Sequence, residues 1–213
     1  MWNVLPSETL IIYVLDMVGV FACTVAATVL AKRLALDIFG ALLVSFVGSI
    51  GGGTLRDVLL NRHPVFWLED LNYFYLIVAT SLMVQVFYYG FEKLDKVIRW
   101  FDALGLAAFT VIGIEAALSK GMQMPIVVMM GVMTAVAGGI MRDVLCRQLP
   151  LLLHKEIYIT ASLIGSVFYL VLLHFEVSLW LRDVATLLLI FAIRMFAVYR
   201  QWNLPNITLP VYR

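Results

Sequence analysis

Charged residues are scarce in this chain, since 14% of its 213 residues are Asp, Glu, Lys or Arg while 63% are hydrophobic. Soluble domains are about a quarter charged, so this composition argues against a water-soluble globular protein. The few basic residues are scattered, which argues against nucleic-acid binding. Two cysteines lie far apart in apolar segments, and neither the HExxH zinc pattern nor the GxSxG nucleophile pattern occurs. We therefore expect no structural metal, no cofactor and no enzymatic activity.

Long apolar segments are what the sequence has in abundance, and its mean hydropathy is +0.97. A helix needs about 20 apolar residues to cross the hydrocarbon of a bilayer. Segments of this length are joined here by short connections that leave no room for a soluble domain. The sequence therefore predicts an all-α membrane protein, a single transmembrane domain over residues 1–213 with seven spans, at 9–31, 35–60, 72–91, 100–119, 122–147, 156–175 and 179–199.

The distribution of Lys and Arg between the two sides predicts the orientation. Loops on the side of the N-terminus carry three basic residues, whereas loops on the other side carry nine. Cytoplasmic loops carry the excess of Lys and Arg in membrane proteins. We therefore expect the N-terminus outside and the C-terminus in the cytoplasm.

An internal repeat relates the two halves of the chain. A shift of 86 positions places GGGTLRDVLLNRHP (51–64) on AGGIMRDVLCRQLP (137–150), with seven identities in fourteen positions. The same shift matches Asp16 with Asp102. Each repeat holds three spans, and an odd number of spans makes the second copy enter the membrane inverted. We therefore predict a 3+3 inverted repeat and one extra helix, at about 9–91, 100–175 and 179–199.

Glycine-rich segments interrupt the second and fifth spans. Glycine inside a helix costs about 1 kcal/mol relative to alanine, and unwound backbone in a bilayer must be buried in protein or line a wet cavity. We therefore predict kinked, locally unwound helices whose open carbonyls and missing side chains suit a partly dehydrated cation. The alternative is that the glycines only permit close helix packing. The residues concerned are Gly51, Gly52, Gly53, Ala137, Gly138 and Gly139.

An Arg-Asp dipeptide follows each glycine segment, within or near the hydrocarbon. Charged residues at that depth are costly unless they are paired or hydrated, and they often mark a functional site. Neighbours at i and i+1 point about 100° apart on a helix, so we expect no ion pair within either dipeptide. The residues concerned are Arg56, Asp57, Arg142 and Asp143.

Acidic residues of other spans are the expected partners of the two arginines. Asp16 lies near the start of the first span, and Asp102 lies near the start of the fourth. We predict that Arg56 pairs with Asp16 and Arg142 with Asp102, either for gating or as structural ion pairs that fix helix register. Glu115 in the fourth span is a candidate pore-lining acid, and snorkelling to the interface is its alternative role.

Together these motifs resemble the trimeric intracellular cation (TRIC) channel family, whose prokaryotic members are also described as glycine transporters. The resemblance rests on two GG-x-x-RD elements, seven spans and 3+3 inverted repeats, and it covers nearly the whole chain. It implies a homotrimer among membrane lipids, with kinked second and fifth helices and one pore per protomer for K⁺ and, to a lesser degree, Na⁺. The short tail looks prokaryotic, which implies an inner membrane. Ala137 departs from the triple glycine of the first repeat.

Two functions remain open at this point. The first is a K⁺-preferring channel in which ions pass the glycine-rich segments. The second is a secondary transporter of glycine or another small zwitterion, because the N-termini of half-helices after the breaks could hold a carboxylate. Unitary currents in a planar bilayer would favour the channel, and saturable uptake of labelled substrate would favour the transporter.

Overall fold

The structure is a computed structural model, and it describes residues 7–88, 94–153, 157–200 and 202. Within these ranges the chain forms eight α-helices and a short 3₁₀ turn at Leu151–Leu153, with no strand. The predicted all-α fold is therefore confirmed. Residues 89–91 of the first predicted repeat and the tail from residue 203 lie outside the described residues. The helices are α1 (Ser7–Arg33), α2 (Ile38–Leu59), α3 (Phe66–Glu69), α4 (Asn72–Phe87), α5 (Leu94–Ser119), α6 (Met124–Leu145), α7 (Ile159–His174) and α8 (Leu179–Arg200).

Seven of these helices fall on the seven predicted segments, and α3 is an additional four-residue helix. Four of them, α1, α2, α5 and α6, are long and apolar enough to cross a membrane. The apolar helices α4 and α7 have 16 residues each. Charged residues lower the hydropathy of α8, which carries two arginines and an aspartate in its interior turns. Membrane crossing by α4, α7 and α8 stays a prediction.

Helices α2 and α6 end in the same way, as expected of repeated units. Asn61 and Arg147 follow the last turns, and both have a φ of 51°, in the left-handed region that often ends a helix. The amide of Arg62 donates to the Asp57 carbonyl, and the amide of Gln148 donates to the Asp143 carbonyl, each at 2.8 Å. These closing bonds satisfy carbonyls that a helix end would otherwise leave free. Each Arg-Asp dipeptide therefore lies in the last turns of an intact helix.

The helix packing follows the two halves related by the 86-residue shift. Helices α1, α2 and α4 contact one another, as do α5, α6 and α7. Across the interface between the repeats, α1 packs on α5 and α2 packs on α6, while α8 packs outside on α5 and α7. Small residues such as Gly19 and Ala108 lie at the α1–α5 contact. The glycine segments and the charged dipeptides are thus brought to the middle of the bundle.

Candidate functional site

The glycine segments form a close crossing of α2 and α6. A Cβ atom added to Gly52 would collide with the carbonyl oxygen of Thr134, and one added to Gly138 would collide with the carbonyl oxygen of Gly48. The 86-residue shift relates Gly48 to Thr134 and Gly52 to Gly138, so exchanging the two repeats converts one contact into the other. A pseudo-two-fold axis between the repeats therefore passes through this crossing, which we call the glycine crossing.

Both glycine segments are helical throughout, so the predicted unwinding is wrong. Helix α2 runs without interruption through Gly51–Gly53, and α6 runs through Ala137–Gly139. The physical reason is that the glycines remove side chains where two backbones touch, and close helix packing offsets their low helix propensity. The packing alternative accounts for this geometry, and a kink without unwinding stays a prediction.

The second repeat holds a closed cluster of charges, which we call the inner cluster. The Nη1 of Arg142 donates to Oδ1 of Asp102 at 2.8 Å, and its Nε donates to Oδ1 of Asp143 at 2.8 Å. All three side chains are at least 96% buried. The Tyr158 ring stacks under Arg194 of α8 at 4.8 Å, and its hydroxyl interacts with Asp102. The predicted pairing of Arg142 with Asp102 is thus present.

The first repeat holds the corresponding outer cluster, with a different pattern of bonds. The Nε of Arg56 donates to Oδ1 of Asp57 at 2.8 Å, and the Arg56 guanidinium lies 5.3 Å from the centre of the Phe66 ring. Asp16 accepts a hydrogen bond from the Tyr73 hydroxyl at 2.8 Å. Among the described residues no ion pair joins Arg56 to Asp16, so that predicted pairing is wrong.

The ion pairs within both Arg-Asp dipeptides contradict our prediction that neighbours at i and i+1 do not pair. The directions of the two Cβ atoms do differ by about 100°, but a long arginine side chain can fold back along the helix. Its Nε then reaches the carboxylate of the next residue in both repeats. Burial favours this geometry because a buried arginine and a buried aspartate have no water to solvate their charges and therefore pair with each other.

A cavity of about 510 Å³, which we call the outer cavity, leads to the outer cluster. Glu115 lines it, as does Asp16, which is 6% exposed and whose Oδ1 has no hydrogen-bond partner in the described part of the chain. Arg182 lies 3.5 Å from Glu115, so this acid is positioned at the cavity wall. Four acidic and two basic residues line the cavity, which gives it an excess of negative charge: Asp16, Glu69, Asp70, Glu115, Arg56 and Arg62.

The inner cluster is packed more tightly than the outer one. A narrow gap without room for a water molecule borders it, lined in part by Gly139, Asp143 and Tyr158. The repeats therefore share their motifs but differ in the ion pairs that their arginines form. In the second repeat Arg142 bridges the carboxylates of Asp102 and Asp143. In the first repeat the carboxylate of Asp16 faces the cavity and forms no ion pair with an arginine of the described residues.

Several residues of the two clusters were missed in the sequence. Phe66, Tyr73 and Tyr158 contact the charged groups, yet aromatic residues near span ends are typical of membrane interfaces. Arg194 falls within the last predicted span, 179–199, and a charged residue at that depth is itself a signal of a buried partner. The near match of Tyr73 and Tyr158, 85 positions apart, could have identified both tyrosines.

The fold and the paired clusters define an integral membrane protein that is built from two repeated helical units around buried, charged helix ends. The chain belongs to the glycine transporter family, whose pattern matches residues 13–89 and 99–174. Among its relatives is the UPF0126 inner membrane protein YadS of Escherichia coli strain K12, which is 36% identical over 202 residues, 94% of this chain and 98% of YadS.

Solved structures of TRIC channels share the fold. The TRIC trimeric intracellular cation channel orthologue from Rhodobacter sphaeroides matches with a TM-score of 0.86 and 35% identity, over 90% of this chain and 98% of that one. A prokaryotic TRIC channel crystallised in 0.5 M KCl matches with a TM-score of 0.86 and 30% identity, over 92% and 100%. The family and these structures are transport and channel proteins, so the chain is not an enzyme.

Proposed function

We propose that this protein is a cation channel of an inner membrane that prefers K⁺ and assembles as a homotrimer with one pore per protomer. The observation that carries the proposal is the cavity with an excess of acidic lining residues, which reaches the buried side chain of Asp16. Membership of the family and the likeness to TRIC channels support it.

The pore that we propose begins in the outer cavity and ends at the inner cluster. An excess of carboxylates raises the local concentration of cations and repels anions, and low-dielectric walls strengthen this effect. Cations would then pass beside the glycine crossing. The glycines carry no side chains there, so the backbones of α2 and α6 would form the wall of the proposed pore. In this proposal the inner cluster is the closed end of the path, because Arg142 pairs with both Asp102 and Asp143.

Purified protein in a planar bilayer tests the channel directly. We expect unitary currents and, with KCl and NaCl on opposite sides, a reversal potential that reports preference for K⁺. Ser119→Lys adds a positive charge to the cavity wall and should lower K⁺ conductance, most strongly at low salt. Gln123→Lys adds the same charge to an exposed position outside the cavity lining and should leave conductance unchanged. Equal currents in both variants would contradict the assignment of this cavity to the pore.

The description of the family favours a second candidate, transport of glycine. A carrier would give saturable uptake of labelled glycine into proteoliposomes and no unitary currents. Its zwitterionic substrate has no net charge, so Ser119→Lys should affect uptake much less than it affects a cation current. The same reconstituted samples therefore separate the two functions.

The trimer is tested separately from the current. The mass of the protein in detergent, measured by light scattering with correction for bound detergent, should correspond to three chains of 24.0 kDa. A monomeric mass under conditions that preserve currents would contradict the proposed assembly but leave the pore assignment intact.

A further inference from the structure

A buried carboxylate lies in the first turns of α8, where this helix packs on α5 and α7. Asp183 is fully buried, and its Oδ1 accepts a hydrogen bond from the Tyr169 hydroxyl of α7 at 3.2 Å. Its Oδ2 has no hydrogen-bond partner in the described part of the chain, and neither has the buried hydroxyl of Thr186, one turn further along α8. Asp183 belongs to neither charged cluster and does not line the outer cavity.

The nearest arginine contacts other groups. The Nη2 of Arg182 lies 3.5 Å from Oε1 of Glu115 in α5, and its Nη1 donates to the Val177 carbonyl at 3.4 Å. Its guanidinium also stacks on the Tyr169 ring, at 4.9 Å from the ring centre. Glu115 and Arg182 are the charged residues close enough to act on Asp183 electrostatically. Within the ranges that the structure describes, Asp183 itself forms no ion pair.

An ionised carboxylate in this position would be costly. A buried charge without an opposite charge in contact is strongly destabilising, and such a group becomes neutral instead. Glu115 adds repulsion to any negative charge on Asp183. A metal cation is a poor alternative, because it takes about six oxygen ligands, and no group of three or more His, Cys, Asp or Glu side chains among the described residues could hold one. A proton needs only the unpaired Oδ2.

We propose that Asp183 is a proton-binding site that fastens α8 to α5 and α7. The proton is held on Oδ2, and the neutral side chain keeps its hydrogen bond from Tyr169 at Oδ1. Loss of the proton leaves a buried negative charge beside Glu115, so the packing of the first turns of α8 weakens as the pH rises.

The same face of α8 reaches the inner cluster. The buried residues of this helix form one stripe, made of Asp183, Thr186, Ile190, Arg194 and Ala197. Asp183 and Arg194 are therefore about three turns apart on one face, and the Arg194 guanidinium stacks on the Tyr158 ring. A displacement of α8 that starts at Asp183 would change this contact with the inner cluster.

Thermal unfolding of the full-length protein in detergent, in buffers from mildly acidic to alkaline, tests the proposal. A proton that the folded state holds and the unfolded chain releases raises the unfolding equilibrium constant about tenfold per pH unit, so Tm falls as the pH rises. Asp183→Asn is neutral and similar in shape, so it should match the unaltered protein at acidic pH and be the more stable of the two at alkaline pH. The matched control is Asp95→Asn, which removes an exposed carboxylate of α5 and should leave the pH dependence unchanged.

Infrared spectroscopy gives a direct readout, because a protonated carboxyl group has a carbonyl stretch that an ionised carboxylate lacks. The difference spectrum between the unaltered protein and Asp183→Asn should contain this band at acidic pH and lose it as the pH rises. If Asp183→Asn does not fold, Tyr169→Phe replaces it. The cost of that variant in Tm should rise with pH, because a hydrogen bond to an ionised acceptor is about twice as strong as one to a neutral acceptor.

Parallel Tm curves for the unaltered protein and Asp183→Asn would overturn the proposal, as would a cost of Tyr169→Phe that is the same at every pH. So would a Tm that depends on K⁺ at constant ionic strength and loses this dependence in Asp183→Asn, since a cation would then neutralise the carboxylate in place of a proton. These outcomes do not depend on whether the protein conducts ions.

Discussion

Replacing Gly52 by alanine tests whether the glycine crossing depends on direct backbone contact. The added Cβ would lie closer than 3.0 Å to the Thr134 carbonyl oxygen, a separation that real Cβ atoms essentially never show. The obstacle is backbone, so it cannot move aside by a change of rotamer and the two helices must separate. Gly139→Ala is the matched control, because its Cβ would have the Tyr158 hydroxyl oxygen as nearest neighbour at 3.6 Å, an ordinary contact.

The magnitude follows from two opposing terms. Overpacking a close contact costs about 1–3 kcal/mol, and alanine regains about 1 kcal/mol of helix propensity over glycine. We expect Gly52→Ala to be destabilising by about 2 kcal/mol relative to Gly139→Ala, which alone should be neutral or slightly stabilising. For a chain of this size the difference corresponds to roughly 4–8 °C in Tm.

Thermal unfolding in detergent, followed by circular dichroism or by loss of the folded peak in size-exclusion chromatography, measures this difference. Currents from the same two variants separate packing from flexibility. If these glycines act as hinges, both substitutions should reduce conductance; if they permit contact, only Gly52→Ala should do so. Equal stability of the two variants would refute the packing argument.

Three further variants probe the charged clusters. Asp102→Asn leaves Arg142 with half of its buried partners and should destabilise the protein by about 3 kcal/mol in thermal unfolding. Asp16→Asn breaks no ion pair of the described residues, so it should destabilise the protein less than Asp102→Asn does. It should lower the K⁺ conductance, because it removes a negative charge from the outer cavity. An unchanged single-channel current would count against this role of Asp16. Arg194→Met keeps an unbranched apolar side chain but removes the guanidinium and its charge from the Tyr158 ring, and should lower Tm by several degrees through the loss of roughly 2 kcal/mol. An unaltered melting curve would show that this contact is energetically neutral.

The repeat could be predicted from the sequence because a constant 86-residue register is a property of the chain itself. It correctly identified the motifs that meet at the centre of the bundle, and it matched Asp102 to Asp16. Register alone could not reveal that Arg142 contacts its predicted acid while Arg56 does not. That difference depends on neighbours that the repeat does not duplicate, such as Phe66 and the Arg194 of α8.

The behaviour of the glycines could not be predicted because the same residues serve opposite purposes. A glycine segment can end a helix by favouring unwound backbone, or it can preserve a helix by allowing a second one to approach. Only the presence of α6 against α2 decides between these outcomes, and that is a tertiary fact. The same holds for the Arg-Asp dipeptides, whose local geometry disfavours a pair that burial then favours.

At the glycine crossing the backbone of α2 at Gly52 lies directly against the backbone of α6 at Thr134 and Gly138, with no Cβ atom on either glycine. Interlocked rotamers can absorb a small displacement, but main-chain atoms in contact have no such freedom. A displacement of α2 toward α6 at this point would therefore require α6 to move as well. In the channel that we propose, a change at the outer cluster, which lies on α2, would therefore also move α6 and the inner cluster at its end.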